Sequence, residues 1–284
     1  MSSWIKDNCV SFFQLFCIKV VKTGRVPQHI AFIMDGNRRF AKKYKHGDCV
    51  AGHHKGFDKL SETLKWCLDL GVPEVTVYAF SIENFKRNAD EVNGLMDLAR
   101  EKFEKLLKEI DAINEWGVRV HVAGRLSLLP EDLQRLVSKV MLATRNNNKL
   151  QLNIAYAYTG RDEISRAASH LIDGVENNDL PAEAIDEDLV SQALDIGEPE
   201  LLIRTSGEVR LSDFMLWQVS HTILYFTDVL WPEFTIWNLL QAIIHFQRHA
   251  SPPLPVIENT EIQQQFLDKL ESKKWKELEK ICGC

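Results

Sequence analysis

In HIAFIMDGNRRFAKK (29–43) an apolar run ends on Asp35, and Gly36, Asn37, Arg38 and Arg39 follow at once. A carboxylate is the ligand that Mg²⁺ prefers. Gly36 and Asn37 turn the chain into a helix starting near Arg38, and the N–H groups of a helix start hold phosphate oxygens. A cation with an anionic ligand is the chemistry such a mixture serves; the plainer reading is that Asp35 only caps the helix. Two further segments repeat the combination. RTSGEVRLSDFMLWQ (204–218) sets Arg204, Ser206, Arg210 and Ser212 in one loop, and planar cations with hydroxyls suit a diphosphate. FSIENFKR (80–87) adds Ser81, Asn84 and Arg87. Each segment alone also reads as a solvated loop. Phe80, Phe85, Phe214, Trp217, Phe226 and Trp231 flank the polar positions, as a ligand with a charged head and a hydrocarbon tail requires. Buried aromatics are common, so each of them also reads as core.

These residues need rigid elements beneath them. Six apolar runs read as strands, at 29–35, 75–80, 118–124, 150–158, 200–206 and 223–228. They alternate with segments of three- and four-residue apolar spacing, notably 56–71 and 90–117, each ending at a glycine. The pattern predicts an α/β fold: a single domain with a central, mainly parallel six-stranded sheet flanked by helices. In an open parallel sheet, ligands bind beyond the carboxyl ends of the strands, and Asp35, Ser81 and Arg204 all fall there. Residues 1–24 form an N-terminal segment, 25–250 the main domain, and 251–284 a Pro-rich break (SPPLPV) with a polar terminal helix outside the core.

Composition excludes several classes. A formal net charge of −6 argues against nucleic acid held by bulk charge. The six cysteines form neither a CxxC pair nor a zinc-spaced cluster, which fits a reducing, cytosol-facing compartment. The segment WIKDNCVSFFQLFCIKVVK (4–22) is too interrupted by polar residues to span a bilayer, which takes roughly 20 apolar residues. It reads either as an amphipathic helix lying on a membrane or over a tunnel mouth, or as an ordinary helix packed on the domain.

IAFIMDGNRRFAKK, GHHKGFDKL, YAFSIENFKR, LLIRTSGEVRLSDFMLWQ and LYFTDVLWPEF, in this order, resemble the signature segments of the cis-prenyltransferase family of undecaprenyl and dehydrodolichyl diphosphate synthases. The likeness runs from about residue 29 to 249, and DGNRR is similar to the form in eukaryotic dehydrodolichyl diphosphate synthase subunits. It implies condensation of isopentenyl diphosphate onto an allylic diphosphate such as farnesyl diphosphate, with a new Z double bond. Mg²⁺ would bridge Asp35 and the allylic diphosphate. Gly36, Asn37 and Arg39 would line that site with Arg38 and His53 nearby, and Asn37 would assist diphosphate departure. Arg204, Arg210 and Ser212, with Ser206 in the same motif, would hold isopentenyl diphosphate. Phe80, Ser81, Asn84 and Arg87 would complete the pocket, and helices around residues 90–115 would wall an apolar tunnel.

Departures from the family pattern carry information too. Cys49 stands where homomeric members have an arginine four residues before the GH histidine, with Lys45 or His46 as substitutes. SHTI (220–223) replaces a segment carrying a glutamate metal ligand, and the RxG tail motif is missing from KWKELEKICGC. The resemblance therefore implies a catalytic half whose partner, a Nogo-B receptor-like subunit, donates that tail at the cytosolic face of the endoplasmic reticulum membrane. Its product would be a precursor of dolichol for protein glycosylation; the alternative is a prenyl-diphosphate-binding scaffold subunit. A haloacid dehalogenase phosphatase is disfavoured because Ile33 stands where its nucleophilic aspartate would be, and a trans-type synthase because paired DDxxD helices are missing.

Overall fold

The computed structural model describes residues 11–44, 49–252 and 259–283. The apolar runs become β1 (His29–Ile33), β2 (Glu74–Ser81), β3 (Val118–Ala123), β4 (Leu150–Tyr158), β5 (Leu201–Arg204) and β6 (Ile223–Phe226). All of them pair in parallel, in the order β3-β4-β2-β1-β5-β6. The helices are α1 (Phe12–Val21), α2 (Asn37–Lys43), α3 (Cys49–Leu70), α4 (Ala89–Lys108), α5 (Ile110–Trp116), α6 (Glu131–Thr144), α7 (Gly160–Glu176), α8 (Glu187–Ala193), α9 (Ile236–His249) and α10 (Glu261–Cys282). The α/β single-domain expectation, with its parallel six-stranded sheet, is what the chain adopts.

β1 and β5 are buried along their whole length, which is why each reads as a continuous apolar run and not as an alternation. On one face Ile30, Phe32, Val75 and Val77 pack with Leu64 of α3, Phe103 of α4, Val137 of α6 and Leu239 of α9. On the other, Ala31, Ile33, Ala155 and Leu202 pack with Tyr158, Phe214 and Met215. The second face also carries a polar layer. His29 Nε2 lies 2.7 Å from Thr76 Oγ1, and Asn153 Nδ2 donates to Thr76 Oγ1 at 3.0 Å and to Glu74 Oε1 at 2.7 Å. Asn153 Oδ1 faces His121 Nδ1 at 3.1 Å.

Two elements differ from the sequence expectation. The periodic run over 90–117 breaks at Glu109 into α4 and α5, although it ends at Gly117 as expected. The terminal helix was expected to be polar and outside the core, but α10 packs on the domain. Its Phe266 joins Leu171, Leu189 and Ala193, and its Leu278 joins the main core. Its polarity misleads because Lys274 is drawn inward: Nζ donates to Asp195 Oδ1 at 2.9 Å and lies 2.8 Å from His121 Nε2. Asp195 also accepts from Arg166 Nη1 at 2.8 Å, so the buried acid is held between two cations.

In the N-terminal segment α1 is a helix packed on the domain. Trp4 to Val10 lie outside the described residues, as do Pro253 to Glu258 and Cys284. Ser11 caps α1 through a reciprocal bond with Gln14, and α1 seats Ile18 and Val21 in the core. Its other face leaves Phe12, Phe13, Phe16 and Val20 exposed, with the Phe13 ring 6.0 Å from that of Trp237. Phe266→Ala is expected to cost about 3 kcal/mol or more of unfolding free energy, as for other large core side chains. Chemical denaturation checks this; an unchanged midpoint would mean that α10 is a detached tail.

Candidate active site

The strand order sets the site. β1 sits between β2 and β5, so the carboxyl ends of three adjacent strands bring Asp35, Ser81 and Arg204 to one rim. Thr205, fully buried, fixes the backbone there: its Oγ1 accepts from Asp35 N–H at 3.0 Å and donates to Asp35 O at 2.8 Å. Gly36 follows with φ +104, and a Cβ there would meet Leu230 Cδ2 at 2.9 Å and Ser206 Cβ at 3.1 Å. Backbone geometry and space both demand glycine at this turn. Gly36 is the N-cap position of α2 and no side chain caps it, so Asp35 is not the helix cap.

Asp35 instead turns to Arg204. Its Oδ1 accepts the Gly36 N–H at 2.6 Å and its Oδ2 accepts from Arg204 Nη2 at 3.1 Å. Arg39 Nη2 stands 3.9 Å from the same oxygen. Burial works to raise the Asp35 pKa, but the Arg204 hydrogen bond, the Gly36 N–H and the charges of Arg204 and Arg39 outweigh it. The carboxyl is held below its ordinary range and stays ionised. Arg204 is 3% exposed, and its Nη1 donates to Arg210 O and, at 2.8 Å, to Ser212 Oγ.

Around this pair opens a cavity of about 1040 Å³. Asp35, Gly36, Asn37, Arg38, Arg39, His53, Phe80, Ser81, Asn84, Arg87, Arg204, Arg210 and Ser212 all line it. Ser206 does not; it is buried behind the rim, where its Oγ accepts from Arg39. Ser81 and Asn84 also cap the short turn that follows β2, through Ser81 N–H to Asn84 Oδ1 at 3.0 Å and Glu83 N–H to Ser81 Oγ at 3.2 Å. The inner half of the cavity is apolar: Phe57 and Leu60 of α3, Leu95, Leu98, Ala99, Phe103 and Leu106 of α4, Val77 of β2, and Ile154 and Tyr156 of β4. The tunnel expected from residues 90–115 is thus walled by α4 and α3, and α5 contributes none of the lining.

Three buried polar atoms at the rim lack hydrogen-bond partners: Asn37 Oδ1, His53 Nε2 and Arg204 Nε. Gly56 makes room for the first, since a Cβ there would stand 2.4 Å from Asn37 Oδ1. Orphaned polar atoms facing one cavity await a polar ligand. Burial and the nearby charge of Arg87 push the His53 pKa down to about 4, so the ring is neutral at physiological pH.

Acids that the sequence reading passed over complete the rim. Glu91 accepts from Arg87 Nη1 at 2.9 Å, and Glu208 accepts from Arg210 and lies 3.8 Å from Arg39. Glu91 was legible as an i,i+4 partner of Arg87. One carboxylate together with phosphate oxygens is a ligand set of the kind that a hard divalent cation takes, and the ionised Asp35 is a carboxylate of that kind. Among the described residues no group of three or more His, Cys, Asp or Glu gathers as a metal site. Lys45 and His46 lie outside the described residues, and of Cys49 only the helical backbone is described.

A cavity with an anion-binding mouth and an apolar body agrees with what the chain resembles. Residues 33–251 match the prenyltransferase family described as putative undecaprenyl diphosphate synthase. The chain belongs to the cis-prenyltransferase family. It is 54% identical over 252 residues to the dehydrodolichyl diphosphate synthase complex subunit DHDDS of Homo sapiens, covering 88% of this chain and 75% of that one. It is 44% identical over 239 residues to the tritrans,polycis-undecaprenyl-diphosphate synthase (geranylgeranyl-diphosphate specific) of Pyrococcus horikoshii, covering 83% and 90%. Among solved structures, lavandulyl diphosphate synthase from Lavandula x intermedia, in complex with dimethylallyl diphosphate, superposes with a TM-score of 0.74. That match has 33% identity and covers 80% of this chain and 97% of the other. The chain is thus a transferase of the cis-prenyltransferase class.

An unfolded histidine titrates near 6.5 and folded His53 near 4, so between these values the unfolded chain binds the extra proton. Stability therefore rises with pH across this window, and the contribution is lost on acidification. His53→Gln is expected to remove about one proton's worth of that slope, roughly 1.4 kcal/mol per pH unit. Unfolding free energies measured between pH 4 and 6.5 for both proteins check it.

Proposed function

We propose that the chain is the catalytic subunit of a two-component cis-prenyltransferase. It condenses isopentenyl diphosphate units onto farnesyl diphosphate with Z geometry and makes long-chain dehydrodolichyl diphosphate, a precursor of dolichol for protein glycosylation. The observation that carries this reading is the single cavity in which Asp35 and an arginine rim open onto an apolar channel between α3, α4 and the sheet.

In this reading, Gly36, Asn37, Arg38 and Arg39 receive the allylic diphosphate, and the hydrocarbon lies against Phe57, Leu95 and Phe103. Arg204, Arg210 and Ser212 hold the isopentenyl diphosphate, with Ser206 seating Arg39 from behind. Phe80, Ser81, Asn84 and Arg87 close the pocket between the two. Mg²⁺ bound at Asp35 would supply charge neutralisation for the departing diphosphate. The allylic C–O bond breaks as the new C–C bond forms, and the proton lost from the isopentenyl unit as its new double bond forms passes to an oxygen of the released diphosphate. The unpartnered Asn37 Oδ1 and the neutral His53 ring are the polar groups placed to assist that departure. Arg38 and Arg39 meet the negative charge that develops on the leaving group, where preorganised donors are most effective.

The partner reading rests on the complex-subunit name of the human relative. The companion would be a Nogo-B receptor-like subunit that donates an RxG tail to the site. Residence at the cytosolic face of the endoplasmic reticulum rests on the exposed aromatic face of α1, and no described helix is long and apolar enough to cross a membrane. Asp35→Ala is expected to lower turnover by about 3–4 kcal/mol of barrier, several hundredfold. The measurement is incorporation of labelled isopentenyl diphosphate with farnesyl diphosphate and Mg²⁺, with and without the companion. Turnover near the parent level in Asp35→Ala removes the metal role, and full turnover by the chain alone removes the need for a companion.

A further inference from the structure

Asp213 is an acid on the wall of the arginine-rimmed cavity. It follows Ser212 directly, and both stand in the left-handed region, at φ 59 and φ 52. Such conformations persist in ordinary residues only where the surroundings fix them. Tyr78 OH donates to Ser212 O at 3.3 Å, and its ring stacks on Phe214 at 4.5 Å. The remaining grip comes from the first residues of α7. Gly160 N–H donates to Asp213 O at 2.6 Å, while Arg161 donates from its backbone N–H to Oδ1 at 3.0 Å and from Nε to Oδ2 at 2.8 Å. Asp213 is 14% exposed, whereas Arg161 is 76% exposed and does not line the cavity.

We propose that Arg161 and Asp213 are a positioning pair for the homoallylic diphosphate. The carboxylate anchors the backbone that presents Ser212 Oγ and Arg210, and Arg161 cancels a negative charge that would otherwise face the incoming diphosphate. The inference rests on the assignment of isopentenyl diphosphate to the Arg204, Arg210 and Ser212 side of the cavity. Two consequences separate it from simple bracing. Losing Arg161 is worse than losing the charge of Asp213, because only the former leaves an acid bare beside an anion site. Removing that charge as well then restores binding, which a purely structural brace would not do.

The test is calorimetric titration of the full chain, alone and with the companion subunit, with isopentenyl diphosphate and separately with farnesyl diphosphate, each with Mg²⁺. R161A is expected to weaken isopentenyl diphosphate about tenfold and farnesyl diphosphate by less than about twofold. D213N is expected to cost less than about threefold, and the R161A/D213N double variant to bind like D213N, an interaction that a double-mutant cycle isolates. Should R161A fail to fold, R161Q is held to the same comparison. The pair has no such role if R161A binds isopentenyl diphosphate like the parent, if both ligands weaken alike, or if the double variant is no better than R161A. A parent that binds farnesyl diphosphate but not isopentenyl diphosphate overturns the substrate assignment, and the pair with it.

Discussion

The ion pair between Asp35 and Arg204 is the constraint around which the rim is arranged. A guanidinium 3% exposed needs compensating partners, because a buried charge without them is strongly destabilising. Arg204 has them in three directions: the Asp35 carboxylate, the Arg210 carbonyl and the Ser212 hydroxyl. One side chain thus ties the turn after β1 to the loop after β5. The parallel pairing of the two strands, with Ile33 opposite Arg204, keeps that reach short. Thr205 and Gly36 hold the same turn from the backbone side, so the carboxylate has little freedom before any ligand arrives.

The rest of the rim balances charge in the same way. Arg87 is matched by Glu91, Arg210 by Glu208 and Arg161 by Asp213. A chain with a net charge of −6 can therefore build an anion site from a few arginines, provided that local acids hold them in place until a stronger anion competes. Behind this polar mouth the cavity becomes apolar without a break, so one ligand can place a charged head and a hydrocarbon body in it together.

Much of this was legible in the sequence. β1 and β5 were visible because buried parallel strands are nearly pure apolar runs, and the rim residues because several polar segments at strand ends stand together in the order of one family's signature. Four things escaped. Glu109 interrupts a helical period that runs on unbroken in the side chains. The inward turn of Lys274 needs Asp195, a residue 79 positions away, and a polar helix gives no sign of such a partner. Ser206 reads as a ligand because it sits in the arginine loop, yet its φ of 81 turns it behind the rim toward Arg39. The Arg161 and Asp213 pair was hidden for the same reason as Lys274: it joins segments 52 positions apart.

The same topology governs when the site comes into being. Asp35 and Arg204 are 169 positions apart, and β5 is the fifth of six strands to be synthesised. A chain emerging at roughly 5–20 residues per second completes β1, β2, β3 and β4 well before Arg204 exists. Until β5 docks, β1 has an open hydrogen-bonding edge and Asp35 has no buried cation to face. Pairings this distant are slow to close and expose apolar surface in the interval. The arginine loop is thus a late arrival on a sheet already largely assembled, and a ribosome-bound chain ending short of it has a greasy channel with no mouth.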